Sequence, residues 1–222
     1  MDKKTFAQYL DLANHHADAT EEQIREVCEK VKQYGFHTAF VNSCYVLLAR
    51  EVLGDQGKVG TVISFPLGQD SQDVKILAAV SAVRAGADEL DVSMNVGLFK
   101  MGKEDLVLEE MKAIVSAAKE IKATTIVKFI IETGLLTDEE IKKASLLVLQ
   151  SGADFVKTCS GYGPRGATVK DVQLIKEVVG DKIKIKVAGG ISDYQNAAAL
   201  IAAGAIRIGT SKAVEIIEEI KE

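Results

Sequence analysis

Short runs of aliphatic and β-branched residues alternate with segments of helical amphipathicity along the whole chain, with no Pro/Ser/Gly-rich linker between them. After a first strand near Tyr9–Ala13, Thr20-Glu21-Glu22-Gln23 has the form of a capping box. Ile24, Val27, Cys28 and Val31 then share one helix face. A second strand is expected at His37–Asn42, with a helix to about Leu53. A third at Val59–Ser64 runs into the turn Phe65-Pro66-Leu67-Gly68 and a helix over Ser71–Ala85. A fourth at Glu89–Ser93 precedes a loop and a helix over Lys103–Ile121.

The second half repeats the alternation. Strands are expected at Thr125–Ile131, Asp154–Thr158, Ile183–Ala188 and Ile206–Gly209. Thr137-Asp138-Glu139-Glu140 and Ser192-Asp193-Tyr194-Gln195 cap two of the helices that follow, another starts near Thr168, and a terminal helix covers Lys212–Glu222 with Val214, Ile217 and Ile220 on its apolar stripe. Ala85-Gly86-Ala87-Asp88, Ser151-Gly152-Ala153-Asp154 and Ala203-Gly204-Ala205-Ile206 each put a glycine at a helix end just before a strand. Eight βα units over residues 1–222 predict one (β/α)8 barrel domain, with the doubly wound open sheet as the competing arrangement.

Alternate side chains of a barrel strand face the helices or the interior. Ile183, Ile185 and Val187 suit the helix side, which turns Lys186 and Ala188 inward. Val127, Phe129 and Ile131 do the same for Lys128, Ile130 and Glu132. Leu90 and Val92 leave Asp91 inside, and Val156 leaves Lys157 inside. Four consecutive strands thus send Asp91, Lys128, Lys157 and Lys186 into one space. Charges are rarely buried unless paired or used, so this convergence points to an active site more than to a structural ion-pair network.

Burial and the like charge of Lys186 should both lower the pKa of Lys157, freeing an amine that can form a Schiff base with an aldehyde. Asp91 is then placed to move protons during carbinolamine formation and carbon–carbon cleavage. Lys128 either keeps Asp91 ionised or is a structural partner of Asp91 or Glu132. Glycine-rich turns follow three successive strands: Gly161–Gly166, Gly189-Gly190 and Gly209-Thr210-Ser211. Their backbone N–H groups can surround an anion at the end where such barrels bind phosphate. A phosphorylated carbonyl compound is the substrate class these features favour. His15 and His16 are neighbours, so on a strand only one could face inward; neither has a metal-binding spacing.

The net charge of −5 provides no basic field for nucleic acid, and no apolar run approaches the ~20 residues that cross a membrane. Cys28, Cys44 and Cys159 are odd in number and lack CxxC spacing, which fits neither a disulfide framework nor a thiolate metal site. The expected compartment is the cytoplasm, and the expected partner is a small phosphorylated sugar or aldehyde.

Six segments, DFVKTCSGYGPRGAT (Asp154–Thr168), IKVAGGIS (Ile185–Ser192), ADELDVSMNVG (Ala87–Gly97), VKFIIETGLLTDEE (Val127–Glu140), SFPLG (Ser64–Gly68) and IRIGTS (Ile206–Ser211), resemble the motifs of the 2-deoxyribose-5-phosphate aldolase family. The resemblance implies a class I, metal-independent aldolase without a cofactor, on a (β/α)8 barrel that commonly self-associates. It also implies Lys157 as the Schiff-base lysine, Lys186 as the residue depressing its pKa, Asp91 as the proton relay, Lys128 and Thr158 in support, and Gly161, Gly189, Gly190 and Ser211 around the phosphate. The chain departs from the family pattern at Asp11-Leu12-Ala13-Asn14-His15-His16, where Asp-His-Thr-Leu-Leu is usual. It departs again at Phe40, where a cysteine is common, at Cys159-Ser160, and at Lys212, where a serine often stands. These changes leave open an aldolase with another sugar phosphate, or a barrel that binds one without turning it over.

Overall fold

The computed structural model describes residues 1–220. Eight parallel strands pair in chain order: β1 Leu10–Asn14, β2 Thr38–Val41, β3 Lys58–Ile63, β4 Glu89–Ser93, β5 Ile126–Ile130, β6 Phe155–Lys157, β7 Lys184–Ala188 and β8 Arg207–Thr210. β8 pairs back onto β1, setting Leu10 against Ile208 and Leu12 against Thr210, so the sheet is a closed barrel and not the open alternative. The helices are α1 Lys3–Ala7, α2 Glu21–Tyr34, α3 Val46–Leu53, α4 Gln72–Arg84, α5 Val96–Lys100, α6 Glu104–Ile121, α7 Asp138–Gln150, α8 Val169–Val179, α9 Tyr194–Ala202 and α10 Ala213–Glu218.

Local chemistry accounts for most boundaries. Thr20 and Thr137 form the expected capping boxes with Gln23 and Glu140, and Thr168 forms a third with Asp171. The cap of α9 is Asp193, one residue later than the serine that opens its motif; its carboxylate accepts from Asn196 N at 2.8 Å. Two short helices absent from the periodicity, α1 and α5, are each held by one side chain. Asp2 accepts from Thr5 N at 2.9 Å and Asn95 from Leu98 N at 3.0 Å. Five-residue helices carry too few apolar positions to register as a pattern. The stretch expected to be one helix after β2 opens instead with a 3-10 turn at Ser43–Tyr45. The terminal helix is shorter than expected, and its last two expected residues lie outside the described ones.

The glycine echo has a structural cause. Gly86, Gly152 and Gly204 all take positive φ at helix ends. In the first two repeats the following aspartate bonds the neighbouring strand: Asp88 accepts from Val59 N at 3.0 Å and Asp154 from Val127 N at 2.9 Å. These carboxylates pin the start of each strand against the one before it.

The core is a shell between sheet and helices. Leu90, Val92, Val127, Phe129, Val156, Ile183, Ile185 and Val187 all pack there against helix residues such as Ile24, Met111, Ile114, Val148 and Val172. Fully burying each such side chain contributes about 1.5–3 kcal/mol. The opposite parity faces the barrel interior, and there the polar residues collect. Ile217 and Ile220 of the terminal segment are buried, with Ile216 beside them.

Candidate active site

Strand register brings the inward charges level. Asp91 pairs with Lys128, and Lys157 pairs with both Ile130 and Lys186. Lys157 Nζ donates to Asp91 Oδ2 at 2.8 Å, Lys186 Nζ lies 2.9 Å from the same oxygen, and Lys128 Nζ lies 3.0 Å from Oδ1. All four side chains are buried. Beneath them Lys128 reaches Glu89 Oε2 at 2.5 Å, and Lys186 reaches Asp11 Oδ2 at 2.7 Å. Arg207 spans Asp11 Oδ1 at 3.1 Å and Glu89 Oε1 at 3.8 Å. The Phe40 ring packs against both amines, its centroid 3.5 Å from Lys186 Nζ and 4.8 Å from Lys128 Nζ.

This interior holds four cations, Lys128, Lys157, Lys186 and Arg207, against three carboxylates, Asp11, Glu89 and Asp91. An excess charge in low dielectric is relieved by releasing a proton, and arginine does not release one. Lys128 and Lys186 each contact two carboxylates, whereas Lys157 contacts only Asp91. Lys157 is therefore the amine most readily neutral. Burial pushes its pKa down; Asp91 opposes this, Lys186 and Lys128 add to it, and the net shift is downward. Burial pulls Asp91 up, but Lys128, Lys157 and Lys186 outweigh it and hold the carboxyl well below its usual range. For Lys128 burial lowers the pKa, while Asp91 and Glu89 raise it further, so it remains a fixed cation.

The expected pairing of Lys128 with Glu132 does not form. Glu132 sits beyond the end of β5 with φ 54°, and its Oε2 accepts from Ser160 N at 3.0 Å. Its carboxylate orders the turn after β6, while Glu89, two residues before Asp91 on the same inward face, takes the place beside Lys128. Glu89 and Arg207 were missing from the expected set, although the parity that turns Asp91 inward applies equally to Glu89.

Above this network lies a cleft of about 400 Å³, with Lys157 and Lys186 among its lining residues. Gly161, Gly189, Gly190 and Ser211 all line it, joined by Ser192, Thr210 and Lys212. Gly189 and Gly190 have φ of 88° and 73°, a left-handed pair that glycine alone adopts without strain. Gly166 packs against this pair so closely that a Cβ on it would stand 2.3 Å from Gly189 O. Thr158 is not on the cleft. It is fully buried, and its hydroxyl accepts from Ala188 N at 3.3 Å, tying the chain after β6 to β7.

His15 and His16 both line the cleft, because β1 ends at Asn14 and strand alternation no longer governs them. Tyr162 and Phe65, quoted above only as parts of motifs, close the same side. The Tyr162 hydroxyl donates to His15 O at 3.0 Å, and the Phe65 ring stands 5.5 Å from that of Tyr162 and 5.3 Å from that of His15. Among the described residues no group of three or more His, Cys, Asp or Glu side chains is placed to hold a metal ion.

Residues 5–211 match the family described as DeoC/LacD family aldolase. The chain belongs to the DeoC/LacD aldolase family. A deoxyribose-phosphate aldolase of Caldanaerobacter subterraneus subsp. tengcongensis is 45% identical over 217 residues, 97% of this chain and 94% of its own. One from Aciduliprofundum boonei is 45% identical over 222 residues, 100% of this chain and 99% of its own. A solved deoxyribose phosphate aldolase from Aeropyrum pernix, described as a tetramer, superposes with a TM-score of 0.91 at 30% identity. It covers 98% of this chain, which spans 91% of it. For a DeoC/LacD aldolase the geometry is apt: a buried amine of lowered pKa lines the same cleft as glycine backbone, Ser211 and Lys212.

Proposed function

We propose that this aldolase reversibly cleaves 2-deoxy-D-ribose 5-phosphate to acetaldehyde and D-glyceraldehyde 3-phosphate through a Schiff base on Lys157. The observation that carries this reading is the sharing of one carboxylate oxygen, Asp91 Oδ2, by two buried lysines, of which only Lys157 lacks a second carboxylate. The names of the full-length relatives support the substrate.

The free amine of Lys157 adds to the C1 aldehyde, and the carbinolamine loses water to leave an iminium. The C3 hydroxyl gives up its proton, the C2–C3 bond breaks, and its electron pair moves into the iminium to form an enamine. Glyceraldehyde 3-phosphate leaves. Protonation at C2 and addition of water then release acetaldehyde and restore the amine. Asp91, kept ionised by its three lysines, stabilises the iminium and relays protons between Lys157 and the reacting carbinolamine. Lys128 keeps Asp91 charged, and Thr158 acts only through the backbone of Ala188. Gly161, Gly189, Gly190 and Ser211 take the phosphate, with Lys212 adding a cation at the rim.

A cytoplasmic location and self-association belong to the same reading. No described helix is long and apolar enough to cross a membrane, and the Aeropyrum pernix relative is described as a tetramer. The test is borohydride reduction in the presence of acetaldehyde, followed by peptide mass spectrometry. An ethyl group on Lys157 is expected, and its absence there, with turnover intact, would show that another nucleophile carries the reaction.

A further inference from the structure

Among the described residues that line the cleft there is no carboxylate and no arginine, and two of its three lysines are committed elsewhere. Lys157 lies 2.8 Å from Asp91 Oδ2, and Lys186 lies 2.9 Å from that oxygen and 2.7 Å from Asp11 Oδ2. Both are buried, and Lys157 is used in bonding C1. Lys212 differs. Its side chain is 55% exposed, on a cleft that also presents Gly189, Gly190 and Ser211. A phosphate monoester brings roughly one and a half to two negative charges at neutral pH, and Lys212 is the cation with room to turn toward them.

The way this lysine is held decides what it can do. Its backbone N–H already donates to Thr210 Oγ1 at 2.9 Å, and that hydroxyl donates in turn to Ile191 O at 2.7 Å. The main chain there is satisfied, so Lys212 reaches the phosphate through its ammonium. That ammonium meets Glu215 Oε1 at 2.9 Å, three residues on, in a pair whose side chains are both more than half exposed. An exposed pair of this kind is weak, because water screens it and two long side chains must be held in one geometry. A phosphate seated on glycine backbone N–H groups competes well for such a lysine. Glu215 therefore opposes the substrate twice, as a rival for the ammonium and as a like charge beside the lysine that the phosphate approaches.

We propose that Lys212 and Glu215 form a partner-exchange pair that sets the preference of the cleft for phosphorylated over unphosphorylated sugars. The ammonium leaves Glu215 for the phosphate, and the strength of the surface pair tunes the net preference. This role presupposes the aldolase reading above and gives its phosphate site a determinant of selectivity.

The test is the ratio of kcat/KM for 2-deoxyribose 5-phosphate to that for 2-deoxyribose, measured in parent and variants. In Lys212→Met the ratio should fall about five- to tenfold, and Lys212→Arg, which keeps the charge, should recover most of it. In Glu215→Gln, which releases the ammonium and removes the rival charge, the ratio should rise about two- to fivefold. Both Lys212→Met and Glu215→Gln break the same ion pair. A merely structural role for the pair moves the ratio the same way in both or not at all, whereas partner exchange moves it in opposite directions. A ratio unmoved in Lys212→Met, or unmoved or lowered in Glu215→Gln, overturns the proposal, and either variant decides alone if a thermal melt shows that the other has lost its fold. Borohydride trapping of acetaldehyde on Lys157 of the parent runs in parallel. An adduct with an unmoved ratio removes the role of Lys212 and Glu215 alone, whereas no adduct removes the aldolase reading and this role with it.

Discussion

Replacing Lys186 with leucine takes away one of the two cations on Asp91 Oδ2 and should change the protonation of the other. The two nitrogens each contact that oxygen, so they stand roughly 5 Å apart; at an effective dielectric of about 20 their repulsion is about 3 kcal/mol, or about two pKa units. The substitution also balances the interior, leaving three cations against three carboxylates, so an excess of positive charge no longer adds to burial and Lys128 in lowering the Lys157 pKa. Its pKa should rise. Below its pKa the amine is protonated and cannot attack, so the acid limb of kcat/KM for 2-deoxyribose 5-phosphate should move up by about two pH units. At a pH below both limbs the loss should be about 100-fold. Above the new limb much of the rate should return. Acetaldehyde release measured across pH gives the profile, and borohydride trapping at the same pH values reports the free amine directly. Asp11 keeps Arg207 as a partner in the variant, so a thermal melt separates loss of fold from loss of free amine. An acid limb that stays in place while activity drops uniformly would refute the reasoning, because Lys186 would then act on the chemistry and not on the amine's pKa.

Ser211→Glu puts a carboxylate at the exposed rim of the cleft and should raise KM for the phosphorylated sugar by roughly tenfold, with a smaller fall in kcat. KM for 2-deoxyribose itself should move far less, and equal shifts for the two sugars in steady-state assays would remove Ser211 from the phosphate site. Gly60→Ala would place a Cβ 2.4 Å from Phe40 Cζ, in the ring that packs against Lys186 and Lys128. Overpacking there should cost about 1–3 kcal/mol, read as a lower midpoint in thermal denaturation, and an unchanged midpoint would mean the ring has room to yield.

Much of this protein was legible in the order of its residues. The alternation of periods near 2 and 3.6 was enough for eight βα units, and capping boxes at Thr20 and Thr137 located two helix starts. Strand parity turned Asp91, Lys128, Lys157 and Lys186 inward because side-chain alternation is a property of the strand alone. Glycines at 161, 189 and 190 were readable as turn residues beside a binding end for the same local reason. Partnership was different. Asp11 and Arg207 are 196 residues apart in the chain and meet only because β8 closes on β1. Lys128 has Glu89 and not Glu132 beneath it because depth along the barrel axis is fixed by the stagger of adjacent strands, which no single strand records. His15 and His16 share the cleft because β1 stops one residue before them. Local periodicity decides which way a side chain points. Only ring closure and register decide which charge it meets, and so which of the buried lysines is left with a single carboxylate and gives up its proton.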